Sequence, residues 1–380
     1  MIQKGHSMGH TSKRAFGVGG GGGGGRSAES VCKRMRSEIM DGSLAVGDFL
    51  PPIRQLSASH DVALNTVRRA LRKLTDEGMI AAEPRQGYRV LARANDPSRG
   101  CPVALVLRSA REDWNQLDTG LAAEFQRAAL ALGRPLLAVG SGDQPTGAVV
   151  EQVLAARAWG AVLSDTDPDL ITEIRRAGMP AVVAENWALE GELDTVCQDD
   201  FRGSMAAALH LAERGHEAIA WFGSKPERAN MHTAGRFAGA VAGLAAVGRR
   251  LRPELTFETE TLDVAELTEE ACRLLSRPER PSAVLTMWQD KTEALVRAAN
   301  RLGLVPGGDF EMVGWVTDEG YGSFYAPLFG PGPVPPAVTW SRALLARTAI
   351  AQLEQRRAHP ELPALHLSIP TRLRFAPAKP

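Results

Sequence analysis

Apolar residues recur at helical spacing near the start of the chain. Val31, Met35 and Ile39 lie four positions apart, which predicts an amphipathic helix that ends at Asp41-Gly42. The stretch IRQLSASHDV, residues 53–62, predicts a second and shorter helix that leads into a turn. Each of these segments has an apolar face that needs a partner to pack against.

A third helix is predicted over residues 64–78, LNTVRRALRKLTDEG, and Gly78 ends it. Its apolar positions follow the i, i+3, i+4, i+7 spacing and are Val67, Ala70, Leu71 and Leu74. Its basic positions fall on the other faces and are Arg68, Arg69, Arg72 and Lys73. One side of this helix therefore requires a core, and the rest attracts a negatively charged partner.

Two short strands follow the third helix. In MIAAEPRQGYRVLA, residues 79–92, we expect one strand, a tight turn over residues 84–87 and a returning strand through Tyr88, Val90 and Leu91. Three helices followed by a two-stranded hairpin predict a winged helix-turn-helix.

The chain has 380 residues, more than one ordinary domain contains. Shifts in composition divide it into four segments. Residues 1–26 include a pure glycine run that cannot offset the entropy of ordering, so we expect a disordered tail. Residues 27–92 hold the winged helix-turn-helix pattern, and the polar stretch 93–101 is the expected linker. Residues 102–380 form the body.

Short apolar strands and amphipathic helices alternate through the body. PVALVLR, PLLAVG and AVLSD are continuous apolar runs, typical of parallel strands that are covered on both faces. We predict an α/β fold of two successive lobes, about 130 residues each, because one open sheet of ten strands is unusual. A helix is expected to begin at about Arg236 in the second lobe.

The bulk properties favour a cytoplasmic protein without a bound metal or cofactor. The sequence has no apolar run of about 18 residues, so no transmembrane helix and no membrane partner are expected. The N-terminus has no apolar core typical of a secretory signal. The four cysteines are far apart and form no metal-binding or redox spacing: Cys32, Cys101, Cys197 and Cys272.

The zero net charge hides an asymmetry between the two ends. Residues 1–95 contain 15 Lys and Arg against 8 Asp and Glu, a surplus of seven positive charges. Because the whole chain is neutral, the remainder carries seven net negative charges. A basic front end joined to an acidic body indicates a nucleic-acid module with a separate regulatory part.

The front end resembles the DNA-binding domain of GntR-type bacterial regulators, through GDFLPPIRQLSASHDVALNTVRRALRKLTDEGMI and RQGYRV. In that family the recognition helix begins Ser-Arg-x-Thr-Val-Arg, and Leu64 stands here in place of the first Arg. Asn65 offers an amide that can read adenine instead. The resemblance and the helix pattern imply DNA contacts from Arg54, Asn65, Thr66, Arg68, Arg69 and the wing residue Gly87.

The body resembles the ligand-binding domain of LacI-type regulators, which has the periplasmic sugar-binding protein fold. The resemblance rests on DDFRGSMAAALHLAERGHEAIAWFG, RFAG, AVLTM and IPTRLRF. A GntR-type head on such a body is similar to arabinose-type repressors. The resemblance implies that Arg236 hydrogen-bonds sugar hydroxyls, and the alternative is a salt bridge between the lobes.

Further effector contacts are expected where strands end, because ligands of open α/β sheets bind there. Trp288 and Trp315 stand near positions where the family has acidic residues or Asn, and they either stack on a sugar or only fill space. The complete set of candidates is Arg108, Ser109, Asp165, Glu185, Asn186, Asp199, Arg236, Trp288 and Trp315.

These features predict a ligand-responsive transcriptional repressor. We expect a homodimer on double-stranded operator DNA, because one winged module contacts only a short half-site. A small molecule, a sugar by the resemblance, would close the lobes and shift the spacing of the two heads.

Two other hypotheses remain. In the first, the chain is still a DNA-binding regulator, but its body binds a ligand other than a sugar or serves only for assembly. The second, an enzyme, is disfavoured: GntR-type heads also occur on aminotransferase-like domains, but these need a buried Schiff-base lysine. The body offers only Lys225, Lys291 and Lys379, none in a convincing setting.

Overall fold

The computed structural model describes residues 27–40, 43–44, 47–83, 86–90, 100–108, 116–142, 144–164, 166–185, 193–224, 231–259, 261, 263–286 and 288–376. The chain separates into two compact units, Met1–Arg99 and Gly100–Pro380. The expected tail 1–26 and most of the expected linker lie outside the described residues. Among the described helices, none combines the length and the apolar character that a membrane crossing requires.

The first unit contains the predicted winged helix-turn-helix. Its hairpin pairs Ile80 with Val90 and Glu83 with Gly87, in antiparallel register. Gly78 follows the third helix with φ +67°, a conformation that favours glycine. The elements are α1 Ala28–Met40, α2 Ile53–Ser59, α3 Leu64–Asp76, β1 Ile80–Glu83 and β2 Gly87–Val90.

One small core holds this unit together. It gathers the apolar faces of the three helices and one side of the hairpin, as their periodicity predicts. Its members are Val31, Cys32, Met35, Ile39, Leu50, Leu56, Val67, Ala70, Leu71, Leu74, Met79, Ile80 and Val90. The predicted apolar face of α3 is thus buried in full, which leaves its basic side outward.

The first lobe of the second unit is a parallel sheet with helices on both faces. Its strands and helices alternate along the chain because each parallel connection needs a crossover. The elements are β3 Val103–Leu107, α4 Gln116–Ala131, β4 Leu136–Gly140, α5 Thr146–Ala155, β5 Gly160–Ser164, α6 Pro168–Arg176, β6 Ala181–Ala184 and β7 Asp194–Gln198.

The second lobe repeats this architecture, and the last elements of the chain return to both lobes. Its helix α8 begins at Met231, five residues before the predicted start. The elements are α7 Asp200–Glu213, β8 Ile219–Ser224, α8 Met231–Ala246, β9 Thr256–Thr259, α9 Val264–Leu275, β10 Ala283–Thr286, α10 Gln289–Arg301, β11 Glu311–Thr317, β12 Ala337–Trp340, α11 Arg342–Ala358, β13 His366–Ile369 and β14 Arg372–Arg374.

The two lobes are not strictly successive, in contrast to the prediction. The described sheets have the orders β13-β7-β6-β5-β3-β4 and β14-β12-β11-β10-β8-β9. Helix α11 packs on α4, β6 and β7, so the chain returns to the first lobe after β12. It crosses back once more between β13 and β14, which pairs antiparallel with β12. Three crossings therefore join the lobes, and the predicted α/β class is confirmed.

A glycine stripe brings α7 and α8 unusually close. Gly235, Gly239 and Gly243 lie four residues apart on α8 and face α7. A Cβ on Gly243 would lie 2.6 Å from the backbone oxygen of Met205, and one on Gly239 would overlap the backbone oxygen of Phe201. The backbones can meet only because these positions lack side chains.

We expect Gly239→Ala to lower the free energy of unfolding by about 1–3 kcal/mol, because the added methyl group meets backbone that cannot move aside. Gly147→Ala is the matched control: Gly147 lies in helix α5 with nothing within 4 Å of its missing Cβ. There the substitution should stabilise by about 0.4–1 kcal/mol. Urea unfolding measures both, and equal effects at the two sites would contradict the packing argument.

Candidate functional sites

The exposed side of α3 carries the predicted DNA contacts. Asn65, Arg68 and Arg69 are exposed, whereas Val67 and Leu71 on the opposite side are fully buried. The half-buried Thr66 lies in the first turn of the helix. This amphipathic division follows from the sequence alone and presents the basic residues as one surface.

The basic residues of this unit differ in whether a carboxylate already neutralises them. Lys73 donates to Glu29 of α1 at 2.7 Å, and this hydrogen bond raises the pKa of Lys73. Among the described residues, Arg54, Arg69 and Arg72 form no ion pair. These arginines, unlike Lys73, carry positive charge that no described carboxylate neutralises.

Two contacts shape the rest of this surface. Arg68 donates to the amide oxygen of Asn65 at 3.1 Å, so the two side chains sit side by side on the helix. Gly87 at the start of β2 has φ +113° and open space around its missing Cβ. The backbone conformation at this position therefore favours glycine, and Gly87 itself adds no side chain to the wing.

A buried polar cluster forms in the second unit where the chain first passes from one lobe to the other, between β7 and α7. Asp199 caps α7 by accepting the backbone N–H of Arg202 at 3.1 Å. The next residue, Asp200, is 4% exposed, and its carboxylate faces α8. His232 and Arg236, one helical turn apart on α8, both reach this carboxylate at 2.6 Å.

Arg236 is fully buried between two aromatic rings. Its guanidinium carbon lies 3.8 Å from the centre of the Trp288 ring and 4.0 Å from that of Trp315. Burial of a charge is costly unless it is paired, and here Asp200 and two cation–π contacts provide the compensation. One face of each tryptophan is thus turned to Arg236.

His232 links the two lobes. Its Nδ1 faces Asp200 of the second lobe, and its Nε2 meets the backbone oxygen of Glu185, which directly follows β6 of the first lobe. The amide nitrogen of Gln198, at the end of β7, lies 3.4 Å from Nδ1. The carboxylate of Glu185 accepts from Ser164 at 3.4 Å. The cluster therefore lies where strands of both sheets end.

The charged groups within the cluster shift one another's pKa values. Burial alone would raise the pKa of Asp200, but the positive charges of Arg236 and His232 hold it below its usual value. Burial alone would lower the pKa of His232, but the Asp200 carboxylate raises it instead. Asp200 is therefore ionised at neutral pH, and protonation of His232 is favoured.

The structure brings together four of the residues predicted as effector contacts: Glu185, Arg236, Trp288 and Trp315. Asp199 is next to this cluster in the chain, but its side chain caps α7. Arg108, at the end of β3, is exposed and lies 3.8 Å from Asp167. Ser109, Asp165 and Asn186 lie outside the described residues.

Sequence reasoning missed two central members of the cluster, Asp200 and His232. Asp199, which was chosen, uses its side chain as a helix cap, and Asp200 supplies the buried carboxylate. The available signal was the spacing of His232, which lies four residues before Arg236 and so shares its helix face.

Comparisons with known proteins agree with both halves of the chain. The family model of bacterial regulatory proteins, gntR family, matches residues 27–90. Residues 27–90 are a gntR-type helix-turn-helix domain. The model of the periplasmic binding protein-like domain matches residues 208–375, so this part of the body has that fold.

Two curated relatives carry the names of transcriptional regulators. The uncharacterized HTH-type transcriptional regulator YcxD of Bacillus subtilis is 36% identical over 84 residues, 22% of this chain and 19% of that protein. The HTH-type transcriptional repressor PurR of Mannheimia succiniciproducens is 24% identical over 182 residues, 48% of this chain and 51% of that protein. The chain thus spans no more than about half the length of these relatives.

Solved structures share the fold. A complex of the transcriptional regulator CelR with cellobiose is 17% identical, covers 86% of this chain and 99% of its own, and has a TM-score of 0.62. A LacI family regulator from Enterococcus faecium with bound ribose is 18% identical, covers 73% and 100%, and has a TM-score of 0.60. The body therefore adopts the LacI-type two-lobed fold.

We expect Asp200→Asn to lower the free energy of unfolding by about 3–5 kcal/mol at pH 7, because it leaves Arg236 buried without its carboxylate. Asp199→Asn is the matched control and should change little, since Asn caps a helix as well as Asp does. Because the pKa of Asp200 is lowered, the loss should be largest above the unfolded pKa of about 4 and shrink as the pH falls further. Denaturant unfolding at several pH values measures it, and equal losses from the two substitutions would contradict the assignment.

Proposed function

We propose that the chain is a transcriptional repressor that binds operator DNA through its gntR-type head and responds to a neutral, hydroxyl-rich small molecule held between the lobes of its body. The uncompensated arginine surface on α2 and α3 is the observation that carries the DNA-binding part. The matching family models and the names of the relatives support the same proposal.

The arginine surface fits duplex DNA for electrostatic reasons. Affinity for DNA comes largely from neutralising phosphates, and this requires cations that no carboxylate of the protein already pairs. Arg54, Arg69 and Arg72 meet that requirement, whereas Lys73 is paired with Glu29. Asn65 and Arg68, in the first turns of α3, are the candidates for contacts to bases, because that end of a recognition helix enters the major groove.

The cluster between the lobes favours an uncharged ligand. Its two cations, Arg236 and His232, are balanced by the carboxylates of Asp200 and Glu185, so an added charge would be buried without a partner. Two buried atoms beside it, Oε1 of Gln198 and Nε1 of Trp315, have no hydrogen-bond partner among the described residues. One accepts and the other donates, which suits hydroxyl groups.

The relatives with bound ligands support a sugar. The solved structure of CelR is a complex with cellobiose, and that of the Enterococcus faecium regulator contains bound ribose. We extend this to the present chain with one difference: Trp288 and Trp315 already flank Arg236, so the sugar would be held by hydrogen bonds unless Arg236 leaves its slot.

A homodimer in the cytoplasm completes the proposal. A single winged module reads only a short half-site, and two-fold symmetry doubles the contacted sequence. Ligand control then requires only that the sugar favours one arrangement of the lobes over the other.

We expect Arg69→Ala to weaken binding to DNA from the upstream region of its own gene and to reduce the slope of log Kd against log salt by about 1, because one phosphate contact is lost. Lys73→Ala is the matched control, since Lys73 is already neutralised by Glu29, and its slope should stay as in the wild type. Fluorescence anisotropy at several salt concentrations measures both slopes. Loss of the same slope from the two variants would contradict the assigned surface.

We expect a panel of pentoses, hexoses, disaccharides and nucleosides to contain a sugar that raises the melting temperature and changes the affinity for DNA. Gln198→Ala should weaken binding of that ligand at least tenfold, about 1.4 kcal/mol, through a lost hydrogen bond. Arg297→Gln, which removes an exposed arginine paired with Glu293 on α10, is the control and should bind normally. A panel in which only nucleosides act, or none, would refute control by a sugar.

A further inference from the structure

His232 is placed so that each of its two ring nitrogens faces an acceptor in a different lobe. Nδ1 lies 2.6 Å from a carboxylate oxygen of Asp200, at the start of α7 in the second lobe. Nε2 contacts the backbone oxygen of Glu185, at the end of β6 in the first lobe. The ring is largely buried, with 12% of the side chain exposed, so water does not readily replace either contact.

Both partners can only accept a hydrogen bond. A backbone carbonyl has no proton to donate, and the carboxylate of Asp200 is ionised beside Arg236. A neutral imidazole has a single N–H and can satisfy one of them, whereas the imidazolium ion has two and satisfies both. Hydrogen bonds from the ring to both acceptors at once therefore need its protonated form.

The surroundings of the ring decide what happens when the proton leaves. The charged groups that face it are Asp200 from α7, Arg236 from its own helix and Glu185 beyond β6. Gln198 of β7 and the ring of Trp288, edge-to-face at 6.1 Å, are uncharged. The single remaining proton stays on Nδ1, because a carboxylate is a stronger acceptor than a carbonyl. The lone pair on Nε2 then opposes the backbone oxygen of Glu185.

The backbone of Glu185 is a second, independent observation. This residue adopts φ +57°, in the left-handed region that residues with a Cβ rarely occupy. Its N–H is held by the backbone oxygen of Val196 on the neighbouring strand. A non-glycine residue kept in this conformation indicates that the direction of its carbonyl matters.

We propose that His232 is a proton-operated latch between the lobes: the imidazolium holds the backbone oxygen of Glu185 and keeps the cleft closed, and deprotonation releases it. This inference concerns the movement of the lobes and stands whether or not the ligand is a sugar. Because Asp200 raises the pKa of His232, the latch is fully engaged below the usual histidine value of about 6.5 and is lost as the pH rises through the raised pKa. The closed cleft is thus favoured on the acidic side of neutrality.

Amide hydrogen exchange of the full chain without ligand, at pH 6 to 9 and corrected for the intrinsic rate at each pH, tests the latch. Peptides covering β6 and the start of α8 should lose protection as the pH rises. The loss should be about tenfold for each unit by which the pKa of His232 in the closed form exceeds its pKa in the open form. Helix α9 is the internal reference and should keep its protection. No loss at the cleft, or an equal loss in α9, would overturn the proposal.

Two variants separate the latch from a general effect of histidine titration. His232→Gln cannot titrate, so its cleft peptides should show the same protection across the pH range. His210→Gln is the matched control, because His210 contacts Phe375 within the second lobe, and it should retain the wild-type pH profile. A His232→Gln profile that still falls with pH would overturn the proposal. If this variant does not fold, the wild-type comparison of the cleft with α9 decides.

Discussion

The buried carboxylate of Asp200 is the interaction on which the body depends. It is the shared partner of Arg236 and His232, and through them it engages the Trp288 ring and the first lobe. Without it, a fully buried guanidinium would lose the carboxylate that pairs with it, and the histidine would lose the charge that favours its protonation. One side chain thus sets the electrostatics of the cleft, the stability of the second lobe and the contact between the lobes.

That carboxylate is in reach only because two helices lie unusually close. The stripe Gly235, Gly239 and Gly243 removes the side chains that would hold α8 away from α7, and this brings the first turn of α8 beside Asp200. The same crossing of the chain, from β7 into α7, places the cluster where strands of both sheets end. Ligands of open α/β sheets bind at such positions, and here the position is filled by ionised groups that neutralise one another.

The head follows a simpler logic. Its core is small and local, and its outer side is basic because α3 has one apolar stripe and no acidic residue before its last position. The partners of its cations differ: Arg36 and Lys73 tie α1 to the end of α3 through Glu77 and Glu29, while Arg69 and Arg72 form no ion pair with any carboxylate that the structure describes. On α3, the ion pair of Lys73 stabilises the head, whereas the outward arginines are available for binding.

The sequence by itself determined the elements with strong periodicity: the three helices and hairpin of the head and the alternation of strands and helices in the body. These elements depend on the local spacing of apolar residues along the chain. Only the tertiary structure decided that Asp200 and not Asp199 enters the cluster, that the tryptophans flank an arginine, and that α11 returns to the first lobe. Such features join residues tens to more than two hundred positions apart, and they follow from helix packing and strand crossings that leave no periodic signal.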